Sequence, residues 1–288
     1  MKTFALRSTR LVSCRATCLA LGIAGLLFGC ETPSTTSGTG TSTASPSSSP
    51  GPVAATAVAP TMEAIVSNYI AIAQAAYGDS LLTARTLESA VTAFLNSPSA
   101  NTLNAAREAW KQARIPYIQT EAFRFGNSVV DEWEGRVNSW PLDEGLIDYV
   151  ADSYGDESDN NFFYTANIIA NPVVDIGGIS VDAGSITPEL LAETLHSIDG
   201  VDANVATGYH AIEFLLWGQD LHGTAPGAGE RAYTDYDTAT CTNGNCDRRR
   251  AYLDSATKLL VADLEEMVQS WQPGGTAYVA LQEKGTDG

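Results

Sequence analysis

The chain has 288 residues, 44% of them hydrophobic and 17% charged, and a formal net charge of −18. That is enough apolar material for a real core, as one large domain or two small ones. So acidic a chain excludes nucleic acid as a partner and favours a cationic one, and the low charged fraction excludes a disordered polyanion.

The first stretch is a processing signal. Lys2, Arg7, Arg10 and Arg15 form a basic leader, and Ala16 to Phe28 is an apolar run too short to anchor stably across a bilayer. It ends in Leu27-Phe28-Gly29-Cys30, which resembles the lipobox of bacterial lipoproteins. The resemblance implies a signal peptide over residues 1–29 and lipidation of Cys30, with plain secretory cleavage as the alternative. Glu31, not Asp, follows the cysteine. That favours a lipid anchor in the cell envelope, at the outer membrane facing the periplasm or exported to the surface. Residues 30–60 are, after Cys30, almost entirely Ser, Thr, Pro, Gly and Ala with a single charge, the composition of a flexible tether.

From Met62 to Asn96 apolar residues recur every three or four positions (Ile65, Tyr69, Ile72, Ala76, then Leu82, Leu87, Val91, Leu95). This predicts one long helix or two joined near Gly78-Asp79. Ser97-Pro98-Ser99 breaks it. A second helix carries Leu103, Ala106, Trp110 and Ala113, is kinked or restarted at Pro116, and stops at Gly126. Val129 to Asp148 reads as an aromatic, acidic loop with a short helix at Leu142–Tyr149. A helical patch is predicted near Phe162–Ile169, then a loose Gly-rich part from Asp175 to Ser185. Thr187-Pro188-Glu189 starts a helix to about Ile198. A central helix over 203–218, a long loop to Asn245 and a last helix from Asp247 to Trp271 complete the pattern. Arg248, Arg249 and Arg250 fall in that helix's first turn, where its dipole disfavours them, so acidic partners are predicted. No strand pattern is evident. The fold class is all-α, a helical bundle protein.

Cys14 and Cys18 leave with the signal. Cys241 and Cys246 flank Thr-Asn-Gly-Asn, and in an oxidising compartment they read as a local disulfide; a metal site is the alternative.

The central stretch runs Gly208-Tyr209-His210-Ala211-Ile212-Glu213-Phe214-Leu215-Leu216-Trp217-Gly218. It is apolar on nearly every side, so it belongs in a core, yet His210 and Glu213 share one helical face. A buried carboxylate needs compensation from a metal, an arginine or a wet cleft. An imidazole and a carboxylate at this spacing suit iron, zinc or copper, or else form a metal-free core pair. His196 on the preceding helix is within reach of the site, but a capping or surface role is expected for it. No zincin protease motif is present.

This stretch resembles the Gly-x-His-x-x-Glu signature of imelysins, the peptidase-M75-like bacterial proteins. The similarity continues in Arg114-Ile-Pro-Tyr117-Ile-Gln-Thr-Glu121-Ala-Phe-Arg124-Phe-Gly126, in Trp140-Pro141-Leu-Asp143-Glu144, and in the Cys241–Cys246 loop before a long helix, over about residues 61–275. The resemblance implies two pseudo-repeated helical halves with the site between them. It implies iron bound by His210 and Glu213 with Glu121 and Asp143 of the first half, and Arg124 and Gly208 behind them. A further carboxylate of some relatives falls at Ile118, which cannot ligate. Arg124 is alternatively the cation that neutralises Glu213 or Glu121. The chain ends soon after Trp271, where longer imelysins continue, so a short form or an incomplete second half is expected. The implied role is binding of a metal or an iron carrier for uptake, with an envelope iron transporter as partner. A metallopeptidase and a metal-free interaction protein are the alternatives.

Overall fold

A computed structural model describes residues 59–284 except 156, 157 and 159. The expected signal peptide, the expected lipidation site Cys30 and nearly all of the expected tether lie outside the described residues. Among the described residues no helix is long and apolar enough to cross a membrane.

Helix α1 is a single 35-residue helix, Met62–Asn96, unbroken through Gly78-Asp79. The Thr61 hydroxyl caps it by accepting from the Ala64 amide. Its buried stripe is Ile70, Ala73, Tyr77, Leu81, Ala84, Leu87, Val91 and Phe94, while Ile65, Ile72 and Leu82 of the expected stripe are exposed. Ser99 caps helix α2, Ala100–Gln119, in a reciprocal box with Thr102. Pro116 is accommodated inside α2, which then tightens into a 3-10 turn at Thr120–Phe123. Helices α1 and α2 form a hairpin, and the last long helix, α6 (Cys246–Ser270), packs along α1.

Val129 to Asn138 is not a loop. It belongs to helix α3, Ser128–Asn138, which buries Val130, Trp133 and Val137. Their three-and-four spacing is helical, and the indole is anchored by Nε1 donating to the Asp263 carbonyl at 2.8 Å. Helix α4, Glu144–Ile147, is a single turn. The helical patch expected at Phe162–Ile169 is absent. The amides of Asn167, Ile168 and Ile169 instead bond the carbonyls of Gly145, Leu146 and Ile147, laying the chain along α4.

The all-α expectation needs one correction of detail. Strands β1 (Val173–Ile176) and β2 (Ile179–Asp182) form an antiparallel hairpin with Val174 opposite Val181. Gly177 and Gly178, at φ +61° and +83°, make its two-residue turn. The segment after Thr187-Pro188-Glu189 becomes a π-helix at Leu190–Leu195 and ends at His196. Helix α5 is Gly208–Trp217, and α7 is Thr276–Lys284. The described residues fall within one compact unit, and two pseudo-repeated halves are not confirmed in it.

The arginine triplet at the start of α6 is held mostly by backbone oxygens. Arg248 donates to the carbonyls of Ile168, Ile169, Ala183 and Gly184, and Arg250 to that of Tyr236. Arg249 forms an ion pair with the buried Asp148, by a two-pronged contact at 2.6 and 3.0 Å. Cys241 and Cys246 are disulfide-bonded just ahead of this turn.

Candidate functional site

Helix α5 starts where it does because Gly208 sits at φ +78°. A Cβ there would come within 2.5 Å of the Val137 carbonyl, so only glycine lets α5 approach the end of α3 this closely. The Thr207 hydroxyl fixes the same junction by donating to the Arg136 carbonyl at 2.8 Å. From there α5 buries Tyr209, Ala211, Ile212, Phe214, Leu215 and Leu216. His210, Glu213 and Trp217, spaced three and four apart, are the residues left half-buried. At the other end Arg107 caps α5 through the Leu216 carbonyl at 2.9 Å, and its guanidinium lies 5.5 Å from the Trp217 ring centre.

This stripe faces a cleft of about 740 Å³. Trp110, Trp140 and Trp217 supply indole surface, and His210, Glu213, Glu144 and Asp220 supply polar groups, with Lys111 the cation of the lining. The imidazole Nδ1 of His210 is 2.9 Å from Glu213 Oε2. Trp140, 70% exposed, places its ring 5.1 Å from the His210 ring. The Trp110 and Trp217 rings meet edge to face at 5.3 Å, and Trp110 Nε1 donates to the Tyr209 carbonyl, which locks one wall. Burial pushes the Glu144 carboxyl up to about 7; Arg231 opposes this, and Asp220 and Glu213 add to it.

The four expected ligands are not brought together. His210 and Glu213 line the cleft; Glu121 and Asp143 are not part of that lining. Glu121 is exposed in the 3-10 turn after α2. Asp143 accepts from the Asn161 amide and precedes α4, so its neighbour Glu144 takes the cleft position. Among the described residues there is no group of three His, Cys, Asp or Glu side chains that could hold a metal. Arg124 neutralises neither Glu213 nor Glu121 but pairs with Asp131 and Glu134 at 2.9 and 3.2 Å. His196 stays outside the cleft lining. Its Nδ1 lies 3.1 Å from the Thr207 hydroxyl, and burial lowers its pKa.

Residue-by-residue reading missed Glu144, Asp220 and the three indoles as one lining. Glu144 lay one position from the acid singled out, and a single turn of helix decides which of the two faces the cleft.

A mostly helical body with a His-x-x-Glu helix opened along one stripe onto an aromatic, acidic cleft is the class that fold and site define. Within that class the chain belongs to the imelysin (peptidase M75) family, whose family model matches residues 73–287. Iron-regulated protein A of Synechococcus elongatus is 34% identical over 85 residues, which are 29% of this chain and 22% of that protein. A solved structure described as a putative iron-regulated protein A precursor from Parabacteroides distasonis superposes with a TM-score of 0.51 at 21% identity. It covers 80% of this chain and 53% of the other, and at that identity it speaks to the fold. The chain thus spans about half the length of the solved relative and under a quarter of the curated one.

Proposed function

We propose that this chain is an exported, lipid-anchored binding protein of the cell envelope that takes up iron as a small complex in the His210 cleft and passes it to an envelope transporter. The observation that carries the reading is the His210–Glu213 pair, 2.9 Å apart, on the wall of a 740 Å³ cleft. Iron is the cargo here. A bare ion would meet too few donors, because no three ligating side chains come together among the described residues, and an iron centre fills about six positions. An ion that arrives already chelated needs only one or two protein donors. The cleft lies within the roughly 300–1,000 Å³ range of small-molecule sites.

The pair is suited to that task. With Glu213 holding the Nδ1 proton, the Nε2 lone pair of His210 is the free Lewis base. The indoles offer flat apolar surface to the organic part of the carrier, and the carboxylates favour a complex of neutral or positive net charge. The names of the two relatives point toward iron; zinc or copper in the same kind of complex would use the same donor.

The test is titration of the purified protein with ferric complexes of differing charge, alongside His210→Ala. Saturable binding of one equivalent, weakened at least about tenfold in the variant, is the expected result. Equal binding by both proteins would remove His210 from the role, and no binding of any complex would remove the reading.

A further inference from the structure

We propose that the Asp220 end of the His210 cleft is a binding site for an alkylammonium group, borne by the iron complex on an arm that reaches from His210 along α5. This rests on the iron-complex reading above and adds the chemistry of the carrier. The cleft follows the half-buried stripe of α5 from His210 to Trp217, a span of about 10 Å at 1.5 Å per residue. Beyond Trp217 the helix ends at Gly218, and Asp220 enters the same lining. Half-buried Glu144 of α4 lines it too.

The acids at this end are not neutralised by a lysine or arginine of the lining. Lys111, its one such residue, is 2.7 Å from Glu108 instead. Asp220 accepts through Oδ1 from the His222 amide at 2.8 Å, and the His222 ring is 3.0 Å from the same oxygen. Oδ2 of Asp220 has no partner among the described residues. Glu144 accepts no hydrogen bond among the described residues, and the charges that act on it are Arg231, Asp220 and Glu213. Arg231 lies outside the lining and is itself held by Asp148 and Asp235.

Carboxylates alone do not choose between cations; the walls between them favour an organic one. The Trp217 ring already lies against one organic cation, the Arg107 guanidinium, 5.5 Å from its centre, and meets Trp110 edge to face. Leu142 and Phe214 add apolar surface against which methylene groups lose contact with water. A hydrated metal cation gains nothing from such walls, whereas an alkylammonium uses both the apolar surface and the acids. Gly227, Ala228 and Gly229 complete the lining without bulk or charge. The approach is open to solvent, since the side chains of Asp220 and Glu213 are 48% and 42% exposed.

The test compares two ferric complexes that differ in one group: a linear trihydroxamate ending in a primary ammonium, and the same complex with that amine acetylated. Each is titrated into the full-length protein at about pH 8, where the amine is charged, and binding is read from tryptophan fluorescence. The ammonium form should bind at least about tenfold more tightly, as expected for one charge-assisted hydrogen bond. In the double variant Glu144→Gln, Asp220→Asn the ratio of the two affinities should fall to about one. His210→Ala should weaken both complexes and keep their ratio, which separates the ammonium site from the iron donor. Equal affinities in the wild type, or a ratio unchanged in the double variant, would overturn the proposal. Should the double variant fail to fold, Asp220→Asn at its exposed position takes its place, and the ratio should still fall at least about threefold. If neither complex binds, the iron reading falls and butylammonium alone decides this site. A saturable shift of indole N–H signals that the variant lacks upholds it, and no shift overturns it.

Discussion

Glu144 holds its proton into the neutral range because it is desolvated among other acids of the cleft. Its folded-state value of about 7 lies above the ordinary 4.5, so the folded protein binds that proton more tightly than the unfolded chain does. The resulting stability is fully present below the ordinary value and is lost as pH rises through 7. Glu144→Gln is neutral throughout, so its stability relative to wild type should grow by about 1–3 kcal/mol between roughly pH 5 and pH 8. Denaturant unfolding at several pH values reads this directly. Asp263, which burial pushes up to about 6, acts in the same sense in both proteins and cancels in the difference. A gap that stays flat with pH would mean that Glu144 is not desolvated. His210 and Glu213 could be picked out from the sequence because polar residues stand out in an apolar run. Glu144 could not, because choosing between Asp143 and Glu144 requires the bond from the Asp143 amide to the Ala203 carbonyl and the single turn of α4 that follows.

The junction of α3 and α5 explains the glycine that opens the central motif. Gly208→Ala places a methyl 2.5 Å from the Val137 carbonyl at a positive φ, and it should cost about 2–4 kcal/mol of stability. Thermal unfolding measures this, and a near-neutral effect would mean that α3 yields easily. The long helices were legible because capping residues and apolar repeats agree at their ends, as at Thr61, Ser99 and Ser97-Pro98. Helix α3 was obscured by its tryptophan and acids, although Val130, Trp133 and Val137 keep a helical period. The β1–β2 hairpin carried a readable signal too, Gly177-Gly178 between Val-Val-Asp-Ile and Ile-Ser-Val-Asp, but the runs are only four residues each. The Phe162–Ile169 segment follows α4 rather than its own preference, and no local pattern encodes that.

A buried ionic network ties the disulfide loop to the body of the molecule. Asp148, from the end of α4, receives Arg231 of the long loop and Arg249 of α6. Removing the acid strands two buried guanidinium groups, so Asp148→Ala should destabilise by about 3–5 kcal/mol. Arg85→Ala, which deletes the solvent-exposed pair with Glu265, should cost about 1 kcal/mol or less. Similar losses for the two would contradict the burial argument. This network was invisible in the sequence because its members lie far apart along the chain and each is an ordinary charged residue alone. The proposed capture of chelated iron is tested most directly by iron K-edge absorption of iron-incubated protein beside His210→Ala. A single imidazole should appear among the iron's nearest neighbours, with the carrier's own donors filling the rest, and it should vanish in the variant. A wild-type spectrum without imidazole, or one unchanged in His210→Ala, would contradict capture of a chelated ion through His210.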